Sequence, residues 1–98
     1  MKFHLGIKSD PIEYRYSFEW LFSLMQELEV RFLQLGSFTE VFTAEDGYFH
    51  ELKESAEKYG IRIKSCFTTH RDLGGWMTGN PYLERASYRN YKRYIEIA

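Results

Sequence analysis

The sequence predicts an α/β fold of parallel strands joined by helices, and three observations predict it. Short apolar runs recur about thirty residues apart, over residues 2–8, 30–36 and 61–67. Each has the length of a buried strand, and each is followed by a helix-length segment, which is the cadence of successive βα units with right-handed crossovers. The third helical segment begins near Pro81 and carries no stop signal before Ala98. The pattern therefore predicts an architecture that breaks off in its third helix, with part of its chemistry elsewhere.

In the first run, Phe3, Leu5 and Ile7 share one parity while His4, Gly6 and Lys8 share the other, as a strand with two differently treated faces requires. Ser9, Asp10 and Pro11 break that alternation and open an aromatic, charged loop that reaches Tyr16. Ser17 is placed to cap the first helix. Phe18, Leu21, Phe22, Met25 and Leu28 then fall on one stripe, widened by Trp20 and Leu24, with Glu19, Ser23, Gln26 and Glu27 on the other side. That helix is expected to lie on a sheet with one face in solvent.

The second strand follows almost at once, and Gly36-Ser37-Phe38-Thr39 opens the next loop. A second helix is expected from Asp46 or Gly47 to Tyr59, burying Phe49, Leu52, Ala56 and Tyr59 and ending at Gly60 in the left-handed conformation. Its Glu51, Lys53, Glu54, Glu57 and Lys58 read as a solvated face. The third strand starts without a linker. In the last helix Tyr91, Tyr94, Ile95 and Ala98 form the expected inner stripe, while Arg85, Arg89 and Arg93 line another face, read as solvated because Glu84 and Glu96 are mixed in, with contact to phosphates as the competing reading.

Composition bounds the function. A chain of 98 residues is one domain or part of one, and its 44% apolar and 18% aromatic content is enough to build a core. The net charge of −1 supplies no long-range field to gather polyanions, which argues against a sequence-independent nucleic-acid binder. Cys66 is the single cysteine, so no internal disulfide forms and a reducing compartment is expected. Met1 leads directly into strand-like residues without a charged leader, and no apolar stretch is long enough to span a bilayer. A soluble, cytoplasmic protein without a membrane partner is the expectation.

Ligands of parallel sheets meet the loops at the carboxyl ends of the strands. Three such loops are expected, over residues 9–16, 37–46 and 68–81. The third is long for a βα connection and contains Gly74, Gly75 and Gly79, which permit tight turns or close approach to a ligand. His70 stands just past the strand end, where imidazole can bind a divalent metal, a substrate hydroxyl or an anion; the competing reading is a hydrogen bond that ties down the loop. Trp76 is a candidate wall for the carbon face of a sugar, or a plug for the open end of the sheet. Gln34, between Leu33 and Leu35, needs polar company because an unpartnered buried amide costs about 1–3 kcal/mol. If the parity of His4 and Lys8 faces the sheet interior, Lys8 becomes a candidate for phosphate or carboxylate binding. No phosphate loop, dinucleotide fingerprint, nucleophile elbow or paired zinc ligands occur.

Met1-Lys2-Phe3-His4-Leu5-Gly6-Ile7, Phe32-Leu33-Gln34-Leu35-Gly36, Tyr59-Gly60-Ile61 and Cys66-Phe67-Thr68-Thr69-His70 form a distinctive series. Together they resemble the amino-terminal part of the xylose isomerase-like TIM barrel family, which includes sugar-phosphate isomerases and epimerases and endonuclease IV. The resemblance covers residues 1–98 and implies the first three βα units of a (β/α)8 barrel, an incomplete barrel truncated in its third helix. It implies that the intact protein isomerises or epimerises a sugar or sugar phosphate in carbohydrate metabolism, using a divalent Mn, Mg, Co or Zn ion and proton transfer next to a carbonyl. Gln34 stands where members often carry an acidic residue. His70 matches the metal-binding His of endonuclease IV. The central acid, base and most metal ligands would lie beyond this chain, which contributes no catalytic residue, supplies pocket wall through Gln34, His70 and Trp76, and is expected to be inactive alone. The alternatives are an endonuclease IV-like metal-dependent nuclease, with nucleic acid disfavoured by the charge, and a non-catalytic interaction fragment whose exposed strand edges promote association, including homo-oligomers.

Overall fold

The computed structural model describes residues 3–9, 15–36, 40–67 and 74–98. Its elements run in the order β1 (Gly6–Lys8), α1 (Phe18–Glu27), β2 (Phe32–Leu35), α2 (Glu40–Thr43), α3 (Asp46–Lys58), β3 (Arg62–Cys66) and α4 (Pro81–Ile97). The three strands form one open sheet in the order β1-β2-β3, and both pairings are parallel. The α/β architecture read from the apolar cadence is therefore present. The strands are shorter than the apolar runs. Phe3 and Leu5 remain 87% and 74% exposed, and pairing begins only at Gly6, so Ile7 alone of the first run reaches the core.

Local chemistry explains the helix boundaries. Ser17 accepts a hydrogen bond through Oγ from the Trp20 amide at 3.1 Å and caps α1. Asn80 does the same for α4, accepting from the amides of Tyr82 and Leu83, and Pro81 occupies the first turn where its missing N–H costs nothing. α1 and α3 end in matching ways. The Val30 amide donates to the Met25 carbonyl at 2.9 Å, and the Ile61 amide donates to the Ala56 carbonyl at 2.8 Å. Each closure needs one left-handed residue, supplied by Gly60 (φ +70°) after α3 and by Glu29 (φ 58°) after α1.

The core lies on one face of the sheet. Leu21, Phe22 and Met25 of α1 and Leu52 and Ala56 of α3 pack with Leu33 and Leu35 of β2, and Ile7, Ile63 and Cys66 complete the layer from the flanking strands. Full burial of such side chains is worth about 1.5–3 kcal/mol each, which makes this layer the main support of the fold. Trp20 and Leu28, placed by periodicity on the inner stripe of α1, are exposed.

α4 departs further from the periodic pattern. Its one fully buried residue is Ser87, while Tyr91 and Ile95 face outward. Arg93, expected in solvent with Arg85 and Arg89, turns inward: Nη1 donates to Asp46 Oδ1 at 2.6 Å and Nη2 to the Ala44 carbonyl at 2.8 Å. The guanidinium also stands over the Phe49 ring. A bidentate cation therefore fixes the rotation of α4, and the exposed apolar stripe is the consequence.

Candidate functional site

Among the described residues, the opposite face of the sheet is not part of the apolar core. Strand alternation sends Ile7, Leu33, Leu35, Ile63 and Cys66 to the helices and therefore sends Lys8, Phe32, Gln34, Arg62 and Ser65 to the other side. His4 and Lys64 join this side, because the His4 ring meets Phe32 edge-on at 4.7 Å and Lys64 Nζ lies 4.7 Å from the centre of the same ring. Lys64 is brought there by an irregularity in the β2–β3 register between Leu33 and Gln34, after which Gln34 pairs with Ser65.

Toward the carboxyl ends, Lys8, Gln34 and Ser65 occupy matching register positions on the three strands. Neighbouring strands lie about 4.8 Å apart, so the row crosses the sheet in about 10 Å, the span of a small metabolite. Phe67 closes one end, with Lys8 Nζ 3.8 Å above its ring centre. An ammonium group seated on an aromatic ring, an amide and a hydroxyl thus come from neighbouring register positions at the end of the sheet where ligands of parallel folds bind.

Ser9 holds the row in place. It is fully buried, its amide donates to the Gln34 carbonyl at 3.0 Å, and its Oγ accepts from the Gly36 amide at 2.8 Å. These bonds clamp the end of β1 to the end of β2 and fix Lys8 beside Gln34. From the sequence Ser9 reads only as the end of the alternation; its shared parity with Ile7 is the signal that places it inward.

The three residues singled out for the pocket wall fall in different places. Gln34 sits half-buried on the open face, at the register position between Lys8 and Ser65. His70 lies outside the described residues. Trp76 stands on the turn before α4, 52% exposed, with its ring edge-on to Tyr91 at 5.2 Å. Nearby Gly75 makes a close approach to α4 itself: a Cβ there would lie 2.6 Å from the Leu83 carbonyl oxygen and from Ser87 Oγ. The glycine therefore serves helix packing.

Cys66 points to the helix side, and burial pushes its thiol pKa up. Burial also raises the Tyr94 phenol, with further contributions from Cys66 and Tyr91. Both groups stay protonated at neutral pH, so Cys66 behaves as a small apolar residue. Among the described residues no three His, Cys, Asp or Glu side chains gather as metal ligands. The donors of the row, a lysine ammonium, an amide and a hydroxyl, suit an anion and hydroxyl groups and do not fit a divalent cation.

No helix among the described residues is long and apolar enough to cross a membrane. Comparison with family models, curated proteins and solved structures finds no match.

Proposed function

We propose that this chain forms one wall of a sugar or sugar-phosphate site in an isomerase or epimerase, with Lys8, Gln34 and Ser65 meeting the substrate. The supporting observation is the register-matched row at the carboxyl end of the sheet face that carries no helix-packed core. Lys8 would hold a phosphate oxygen by charge-assisted hydrogen bonding. The Gln34 amide, which donates and accepts, and the Ser65 hydroxyl suit sugar hydroxyls. The resemblance to the xylose isomerase-like barrels supplies the reaction class, proton transfer next to a carbonyl.

None of these side chains is a carboxylate or an imidazole, so the row binds and orients and does not itself exchange the proton. The divalent ion of this reading belongs with His70 and groups outside the row, which does not fit a metal. Calorimetric titration of the 98-residue chain with ribose 5-phosphate, inorganic phosphate and ribose tests the proposal. The sugar phosphate is expected to bind more tightly than either part alone. Equal affinity for all three, or no binding of any, would contradict it.

A further inference from the structure

The beginning of α1 and the outer side of α3 enclose a groove of about 350 Å³. Glu19, Glu40 and Glu51 line it together with Tyr16 and Tyr48, and its described lining contains no Lys, Arg or His. The first half of α4 carries the complementary pattern. Tyr82, Arg85, Tyr88 and Arg89 form an exposed ridge, interrupted in charge only by Glu84. The described residues that line the hollow along that ridge all belong to α4, and no described residue of α4 lines the acidic groove, so the two linings share no residue within one molecule.

We infer that the α4 ridge of one copy docks into the acidic groove of a second copy of this chain. The two surfaces carry opposite charge, three glutamates in the groove and Arg85 and Arg89 against Glu84 on the ridge. Helices pack about 8–10 Å apart, so a third helix laid along the α1–α3 groove presents its side chains to both walls. Arg85 and Arg89 are one turn apart, about 6 Å along the helix, and can address Glu19 on one wall and Glu51 on the other. Ridge and groove are different surfaces, so the contact is heterologous: each docked pair leaves one free ridge and one free groove, and assembly proceeds to a closed ring or an open chain.

Sedimentation velocity of the full chain at about 0.05 M and about 0.5 M salt provides the test, because pairing of exposed charges is screened over this range. Association is expected at low salt and at least about tenfold weaker at high salt. Reversal of the ridge (Arg85→Glu with Arg89→Glu) and reversal of the groove (Glu19→Lys with Glu51→Lys) should each give a monomer with unchanged helical circular dichroism. Mixing the two reversed proteins should restore association. The neutral pair Arg85→Gln with Arg89→Gln, which adds no charge, should weaken association in the same direction. A wild-type monomer at both salt concentrations, association indifferent to these substitutions, or a mixture that stays monomeric would each overturn the inference.

Discussion

The two faces of the three-stranded sheet are built from the same short strands and have opposite chemistry. On the covered face Ile7, Leu33, Leu35, Ile63 and Cys66 meet the apolar stripes of α1 and α3. On the open face His4, Lys8, Arg62 and Lys64 surround Phe32, Gln34, Ser65 and Phe67, with no Asp or Glu on the described strands. A parallel sheet that only needed stability would be apolar on both sides, because both are normally covered. Under the proposed function, the covered face supports the fold and the open face meets the substrate.

Substitution across the two faces of a single strand should show the largest difference. Leu33→Ala is expected to cost about 2–5 kcal/mol through lost burial and a residual cavity. Gln34→Ala, one residue away on the open face, is expected to cost less than about 1 kcal/mol, since water can replace the partners of a half-exposed amide. Urea unfolding monitored by circular dichroism compares them directly. Similar losses for both would mean that the open face is also structural.

Ser9 joins the two faces, and its removal sharpens the comparison. Ser9→Ala leaves the Gly36 amide without its side-chain acceptor in a buried setting, for an expected loss of about 1–3 kcal/mol. Because the same clamp sets Lys8 beside Gln34, ligand affinity should fall together with stability. Loss of stability with unchanged affinity in the folded fraction would show that the row does not depend on the clamp.

The smallest effect concerns Cys66 on the covered face. A thiol whose pKa is higher in the folded than in the unfolded chain favours folding while protonated. That contribution is complete below the ordinary thiol range and is lost as pH rises through the raised folded value. Stability should therefore fall on the alkaline side, and Cys66→Val should flatten this slope while leaving neutral-pH stability within about 1.5 kcal/mol. Thermal unfolding between neutral and alkaline pH reads it out, with the burial part of the Tyr94 contribution remaining in both proteins and the part due to Cys66 removed with the thiol. An unchanged slope in the variant would remove Cys66 as its source.

Much of this organisation is legible in the chain because it is set locally. Ser17 caps α1, Gly60 terminates α3, and Leu21, Phe22, Met25, Leu52 and Ala56 of the two predicted stripes lie in the observed core, although Trp20, Leu28 and Phe49 do not. What escapes is set by distant partners. The rotation of α4 follows from Arg93 reaching Asp46 and the Ala44 carbonyl, groups more than forty residues away, so a pattern that ranks side chains by hydropathy puts Ile95 inside and Arg93 outside. The short α2 is a single turn and shows no period. In the candidate site, alternation places Lys8 and Gln34 on one kind of face, but only the strand register reveals that they stand side by side with Ser65 as the third member.

The division between a supporting face and a recognising face is tested most directly by measuring unfolding free energy and ribose 5-phosphate affinity side by side for Lys8→Ala and Leu33→Ala. The account predicts that Lys8→Ala lowers affinity at least about tenfold, the loss of one charge-assisted contact, with stability changed by less than about 1 kcal/mol. Leu33→Ala should do the reverse, destabilising the chain while the molecules that remain folded bind as before. Wild-type affinity in Lys8→Ala, or a loss of stability in that variant as large as in Leu33→Ala, would contradict it.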